Sequence, residues 1–303
     1  MKSGQIDTKP NFFIVGASKA GSTTLHNYLK NHSQIFMSEI KEPCFFSRDY
    51  TKDSIELIKD EKQYLKLFKK RKNEIMVGES SSTYLQDIQT PHLIKQYVPN
   101  AKIIILLRNP VKRSYSHYLM ENRLTNNSFR DEIIRNLEDN ANNVYQNDII
   151  SSSFYAKALK RYFQIFGKQN IKIVIFENFS KDPESVVKDI LIFLGVNYKD
   201  FKIIRRHDNK YHKIKHKYFF KLWTNKKIKK MFRRLLSQSL KTFFYKKFFS
   251  DYTQKPKMLL SDRKFLTDFF FNDVAQTQKL IDKKLEWMDF PMIYDDSVSF
   301  SED

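Results

Sequence analysis

Residues 12–28 read FFIVGASKAGSTTLHNY, and the reading of this stretch decides the fold. Phe12, Phe13, Ile14 and Val15 are apolar, β-rich and few enough for a buried strand. In the loop that follows, Gly16 and Gly21 bracket Lys19. Ser22, Thr23 and Thr24 then lead into a helical pattern with Leu25, Tyr28 and Leu29 on its inward face. A strand, a glycine-bearing turn and a helix N-terminus together make an anion site. The glycines let the backbone curl, the first-turn N–H groups point at the ligand, and the dipole favours negative charge. Lys19 and three consecutive hydroxyls add side-chain donors there. The ATP/GTP loop G-x-x-x-x-G-K-[ST] has the same glycine spacing, but here Ser22 follows the second glycine and the lysine sits inside the loop.

Outward from this stretch, strands and helices alternate. Residues 43–49, within KEPCFFSRD, read as a loop, and 54–71 as a helix with Ile55, Ile58, Tyr64, Leu65, Leu67 and Phe68 on its inner side. Residues 75–78 make a short strand ending in Glu79, Ser80, Ser81 and Ser82. A helix at 91–97 is closed by Pro99. The aliphatic run 103–107 is typical of a strand buried on both faces of a parallel sheet. It ends at Arg108, Asn109 and Pro110, and a helix then runs through Tyr118. A helix at 153–166, a strand at 171–176 and a helix at 185–194 ended by Gly195 follow. The Asn-rich stretch 122–147 reads as an extended loop or a surface helix. The alternation predicts an α/β fold with a mainly parallel sheet. In such sheets ligands sit beyond the carboxyl ends of strands, so the polar clusters at 19–24, 79–83 and 108–116 are expected to converge.

The chain has 303 residues and is 41% hydrophobic, enough for a real core. Its single cysteine, Cys44, excludes an intrachain disulfide and allows a reducing compartment. Residues 1–11 hold no apolar core of a secretory signal, and the longest purely aliphatic run, 103–107, is far short of a membrane span. The expectation is a cytoplasmic protein, soluble or peripheral at a membrane. The net charge of +20 is uneven. Residues 202–257 carry nineteen Lys and Arg against two acids, Asp208 and Asp251, so +17 lies there and +3 in the rest. An anionic partner is expected to meet that segment.

GASKAGSTTL, KEPCFF, GESSSTYL and LLRNPVKRSYSHY, in this order, resemble the sulfotransferases that use 3′-phosphoadenosine 5′-phosphosulfate (PAPS). The resemblance is to the carbohydrate branch, the heparan sulfate sulfotransferases and their bacterial relatives. It covers about residues 12–200, and EWMDF at 286–290 is similar to that branch's C-terminal helix. It implies one domain over 1–303 with a P-loop-like parallel sheet between helices in three layers. The first loop would wrap the 5′-phosphosulfate with Lys19, Ala20, Gly21, Ser22, Thr23 and Thr24. Arg108 and Ser116 would grip the 3′-phosphate, and Glu42 would be the carboxylate base. Lys19 would also be catalytic, against charge on the leaving phosphate. The resemblance implies PAPS as co-substrate, 3′-phosphoadenosine 5′-phosphate as product, and a glycan or glycolipid acceptor. Sulfuryl transfer is an in-line displacement governed by positioning and charge, so no metal is expected.

Two departures stand out. Some heparan sulfate enzymes have E-K-T-P where this chain has Glu79, Ser80, Ser81 and Ser82, so the second active-site lysine is missing. Those enzymes have a histidine two residues after the base, where this chain has Cys44, which is expected to pack. Two other functions compete: a P-loop kinase or NTPase, and a non-enzymatic basic protein on membrane or nucleic acid. The place of Lys19, and Arg108 where a Mg²⁺ ligand would stand, argue against the first. The ordered motifs argue against the second, and no specific nucleic acid is expected. The acceptor position, the oligomeric state and the residues of 205–217 that complete the 3′-phosphate site have no readable code.

Within the basic segment Ile228, Met231, Phe232, Leu235, Leu236, Leu240, Phe243, Phe244 and Phe248 recur at helical spacing among lysines and arginines. Such a face at 226–248 packs on the sheet or lies in an anionic membrane interface. Vesicle co-sedimentation separates the two. If the face is membrane-bound, the protein pellets with anionic vesicles at physiological salt, and Phe243→Asp with Phe244→Asp releases it still folded. A wild type that stays in the supernatant assigns the face to the core.

Overall fold

The structure, a computed structural model, describes residues 9–47, 58–121, 127–141, 149–199, 201, 203, 213–214, 250–251 and 256–290. The basic face at 226–248 lies outside them. So does most of 202–257, including all of Arg205–Lys217 except Lys213 and Ile214.

Five strands, β1 (Phe12–Gly16), β2 (Ile35–Met37), β3 (Met76–Ser80), β4 (Lys102–Leu107) and β5 (Ile171–Ile175), form one sheet in the order β2-β3-β1-β4-β5. Every pairing is parallel. Parallel neighbours need crossovers, and helices supply them. They are α1 (Ser22–Leu29), α2 (Glu61–Lys66), α3 (Thr90–Tyr97), α4 (Pro110–Glu121), α5 (Phe129–Ala141) and α6 (Ala156–Phe166). After β5 come α7 (Phe176–Lys181) and α8 (Pro183–Leu194), and later α9 (Leu260–Ile281). Two short strands, β6 (Lys213–Ile214) and β7 (Ser250–Asp251), pair antiparallel. The sequence expectation of an α/β fold with a parallel sheet flanked by helices holds.

Helices cover both faces of the sheet, and this is why β1, β3 and β4 are buried almost throughout. The connection from β1 runs toward the β2 edge, while that from β3 crosses to β4 on the other side of β1. The carboxyl end of β1 is therefore the place where the chain reverses its direction of winding.

Local chemistry sets the boundaries. Asp60 is extended and its carboxylate accepts from Gln63 N at 2.8 Å, so α2 cannot begin before it and the helix expected over 54–71 is confined to Glu61–Lys66. Residues 54–57 lie outside the described part. Ser128 and Asp131 exchange side-chain to backbone hydrogen bonds at 3.1 Å, a capping box that starts α5 inside the Asn-rich stretch. Asp182 caps α8, and left-handed Gly195 ends it as expected. β3 runs two residues beyond the expected 75–78 end, carrying Glu79 and Ser80 fully into the interior. β5 stops one residue short of Phe176, which opens α7. EWMDF is not helical: it follows α9 as irregular chain with Trp287 and Phe290 buried.

Phe12 pairs with Gly78 across β1 and β3, and a Cβ on Gly78 would lie 2.2 Å from the Phe12 ring. Phe12 is fully buried and has no room to yield. Gly78→Ala is therefore expected to destabilise the protein by about 1–3 kcal/mol through overpacking. A thermal melt checks this, and an unchanged midpoint would mean that β1 and β3 do not approach so closely.

Candidate active site

The three polar clusters meet at the carboxyl ends of β1, β3 and β4. Ala17 N donates to Leu106 O on the β4 side, and Leu85 N to Val15 O on the β3 side. From Gly16 the chain curls into α1. Gly21 is the helix N-cap with φ +94°, and a Cβ there would stand 3.1 Å from the Phe176 ring. No side chain caps this helix. The donors of its first turn, from Ser22, Thr23 and Thr24, therefore remain for a ligand.

Lys19 has φ +66°, a left-handed backbone that costs a non-glycine residue about 1–2 kcal/mol. What holds it is Arg108 at the tip of β4, whose Nη1 donates to the Lys19 carbonyl at 2.8 Å. The Arg108 guanidinium lies 4.4 Å from the Phe176 ring centre, and Tyr155 OH donates to the Arg108 carbonyl at 2.8 Å. Arg108 Nε is buried with no partner among the described residues. Burial lowers the Arg108 pKa, and nearby Glu177 opposes the shift. Lys19 Nζ reaches Met120 Sδ at 3.4 Å on α4. Ser116 is half-buried one turn before Met120, on the same helix face.

Glu42 also has a left-handed backbone, φ +59°, and its N–H donates to Ser80 O at 2.9 Å. Its Oε2 accepts from Ser82 N at 2.7 Å, and its Oε1 from Ser82 Oγ at 3.0 Å and from the Lys41 ammonium. Ser82 in turn borders the loop, since a Cβ on Gly16 would fall 2.9 Å from the Ser82 carbonyl. Cys44 packs as expected. It is 1% exposed, and burial, helped by the Glu42 charge, pushes its thiol up to about 12.

Glu79 is fully buried. Tyr64 OH and Tyr84 OH donate to its Oε1 at 3.0 and 2.9 Å, and Ser81 Oγ donates to its Oε2 at 3.1 Å. Burial still raises its pKa to about 7, against those three hydrogen bonds.

The sequence reading missed four groups that shape this region. Arg113 is fully buried beneath the loop, with Nη1 3.5 Å from the Ser18 carbonyl. Glu177 accepts from Asn109 N and Trp287 Nε1 at 3.1 and 3.0 Å. Asp289 accepts from Asn109 Nδ2 at 2.7 Å and from Arg263. Phe176 was read as the end of a strand. Only Arg113 carried a signal, three residues before Ser116 in the RNPVKRSYS run.

Among the described residues no group of three His, Cys, Asp or Glu could hold a metal ion, and no helix is long and apolar enough to cross a membrane.

A phosphate-type loop held by an arginine at the sheet's carboxyl edge defines an enzyme of group transfer, and comparison gives the class. The family model for the sulfotransferase domain matches residues 9–281. The chain belongs to that family, as the motif order implied. A crystal structure of a sulfotransferase from Alicyclobacillus acidocaldarius is similar at TM-score 0.69 and 30% identity, covering 91% of this chain and 97% of that one. The membrane-associated sulfotransferase kil1 of Dictyostelium discoideum is 35% identical over 115 residues, 38% of this chain and 24% of that protein. Human carbohydrate sulfotransferase 15 is 25% identical over 249 residues, 62% of this chain and 44% of that protein. The bovine bifunctional heparan sulfate N-deacetylase/N-sulfotransferase 2 is 27% identical over 203 residues, 64% and 23%. The match thus spans less than half the length of these curated relatives.

The buried Glu79 gives a test of the geometry. Its folded pKa of about 7 exceeds the ordinary 4.5, so the fold favours the protonated form. This contribution is full below about 4.5 and is lost as pH rises to about 7. His26, lowered to about 4 by burial and by Lys41 and Lys30, acts in the opposite sense, so the mutant and wild type must be compared directly. Denaturant melts at each pH are expected to show Glu79→Gln gaining on wild type between about 4.5 and 7 and no further above. A constant difference would mean that Glu79 is not buried as described.

Proposed function

We propose that this chain transfers the sulfuryl group of PAPS to a hydroxyl or amine of a glycan or glycolipid acceptor. The observation that carries the reading is the uncapped α1 N-terminus beside Lys19, with Arg108 fastening the loop. This donor set fits an anionic co-substrate: free first-turn N–H groups, a lysine, and a buried arginine with Nε still unpartnered. The carbohydrate acceptor is supported by the relatives, among them a carbohydrate sulfotransferase and a heparan sulfate N-sulfotransferase.

PAPS supplies an activated sulfuryl group whose leaving group is a phosphate. The backbone and hydroxyls of Ala20, Gly21, Ser22, Thr23 and Thr24 hold its 5′ end. Arg108 and Ser116 hold the 3′-phosphate. Lys19 stabilises the charge that gathers on the leaving phosphate as the S–O bond breaks. Glu42 accepts the proton of the attacking hydroxyl. Its Oε2 has only the Ser82 N–H as a partner among the described residues and keeps a lone pair for that proton.

Lys19→Ala is expected to lower turnover by roughly two to three orders of magnitude while the fold survives. Glu42→Gln should still bind 3′-phosphoadenosine 5′-phosphate in calorimetry and lose transfer. Near-normal sulfate transfer from radiolabelled PAPS by either mutant removes the role assigned to it. Thermal shift separates the classes: PAPS or its product raises the melting temperature, ATP with Mg²⁺ does not, and DNA has no specific effect. Stabilisation by ATP and Mg²⁺ alone would support a kinase or NTPase instead.

A further inference from the structure

The loop that carries Glu42 lacks regular structure, and both Glu42 and Cys44 sit at left-handed backbone angles, φ +59° and +52°. Something must hold such a loop in place. Two of its N–H groups end on hydroxyls: Cys44 N donates to Ser81 Oγ at 3.1 Å, and Phe46 N donates to Tyr84 OH at 3.2 Å. Each hydroxyl passes its own proton to one side chain, Glu79: Ser81 Oγ to Oε2 and Tyr84 OH to Oε1. We infer that Glu79 is a positioning residue, whose carboxylate orients the Ser81 and Tyr84 hydroxyls to receive Cys44 N–H and Phe46 N–H and so fixes the loop from which Glu42 acts. This rests on the proposed role of Glu42 as base.

The logic is one of donors and acceptors. An ionised carboxylate only accepts, so both hydroxyls must point their protons at it and turn lone pairs toward the loop. A protonated Glu79 has a proton of its own to place, and every neighbour at its oxygens is a hydroxyl already donating. One relay then reverses, and a loop N–H competes for its acceptor. The groups facing Glu79 are Tyr64 from α2, Tyr84 and Ser81 from the turn after β3, and Glu42 and Cys44 from the loop, with the Glu42 charge favouring the protonated form. No lysine or arginine is among them. The Phe45 ring stacks on Tyr64 at 4.3 Å, so the apolar side of the loop packs on the same tyrosine that Glu79 holds.

The experiment uses the full chain and needs no acceptor. Hydrogen exchange of the 41–47 amides, corrected for intrinsic rate, and sulfate release from radiolabelled PAPS to water are followed from pH 5.5 to 9. Calorimetry with 3′-phosphoadenosine 5′-phosphate reports the fold and the donor site. In wild type, protection at Cys44 and Phe46 and the release rate are expected to rise together by about tenfold across neutral pH. Glu79→Gln, neutral at every pH, shows neither rise while product binding is unchanged. Tyr64→Phe removes one donor to the carboxylate and moves the rise to higher pH, an effect that a purely structural role would not produce. If Glu79→Gln fails to fold, Ser81→Ala breaks one relay with Glu79 in place and must lower Cys44 protection. A Glu79→Gln protein that keeps the pH-dependent rise, or a Ser81→Ala protein with wild-type protection, overturns the inference. Glu42→Gln distinguishes the two readings. If it keeps turnover, the base role falls, and loop protection alone still judges Glu79.

Discussion

Arg108 Nη1 donates to the carbonyl oxygen of Lys19, and most of the site hangs from that contact. The arginine stands where β4 ends, the lysine where β1 has already turned, and the parallel pairing of the two strands sets their separation. The register shifts between Ile14 and Gly16, which frees the loop to leave the sheet. A charge-assisted hydrogen bond is worth about 1.5–3 kcal/mol, enough to offset a left-handed lysine. The same guanidinium lies on Phe176, and Phe176 closes on Gly21. Strand tip, loop and helix start are thereby fixed by one side chain.

An anion site needs its positive potential uncancelled, yet four carboxylates surround this one. The fold occupies three of them. Glu79 is enclosed by two tyrosines and a serine, Glu177 takes the Asn109 and Trp287 N–H groups, and Asp289 takes the Asn109 amide and Arg263. Glu42 alone faces the loop side, tethered through Ser82 and Lys41. Sequestration of this kind leaves Lys19, Arg108 and the α1 dipole as the local field.

The sheet was legible because strands buried on both faces must be aliphatic, as in Ile103, Ile104, Ile105, Leu106 and Leu107. The loop was legible because Gly16 and Gly21 punctuate it and Lys19 stands between them. Helix ends were less so. The apolar residues from Ile55 to Phe68 suggested a long helix, and one side-chain cap at Asp60 overrode them. The inward run of β3 through Glu79 was hidden, because a buried carboxylate looks like a strand end until Tyr64 and Tyr84 are known to lie around it. The contacts of Asn109 were beyond reach of pattern reading, since its partner Asp289 is 180 residues away and no periodicity links them.

That last separation has a consequence for the order of assembly. The sheet is complete once Ile175 has been made, and its strands are in place to pair. Asn109 meanwhile sits fully buried at the tip of β4 with its side-chain amide waiting for a carboxylate near the far end of the chain. Asp273 plays the same part for α6, reaching from α9 to take the N–H groups of Tyr155 and Ala156. Closing contacts of such length is slow, because the chain between must be ordered before the bond rewards it. A nascent chain therefore holds a finished sheet and an unfinished phosphate edge, and the last helix and its tail act as the latch that makes the edge rigid.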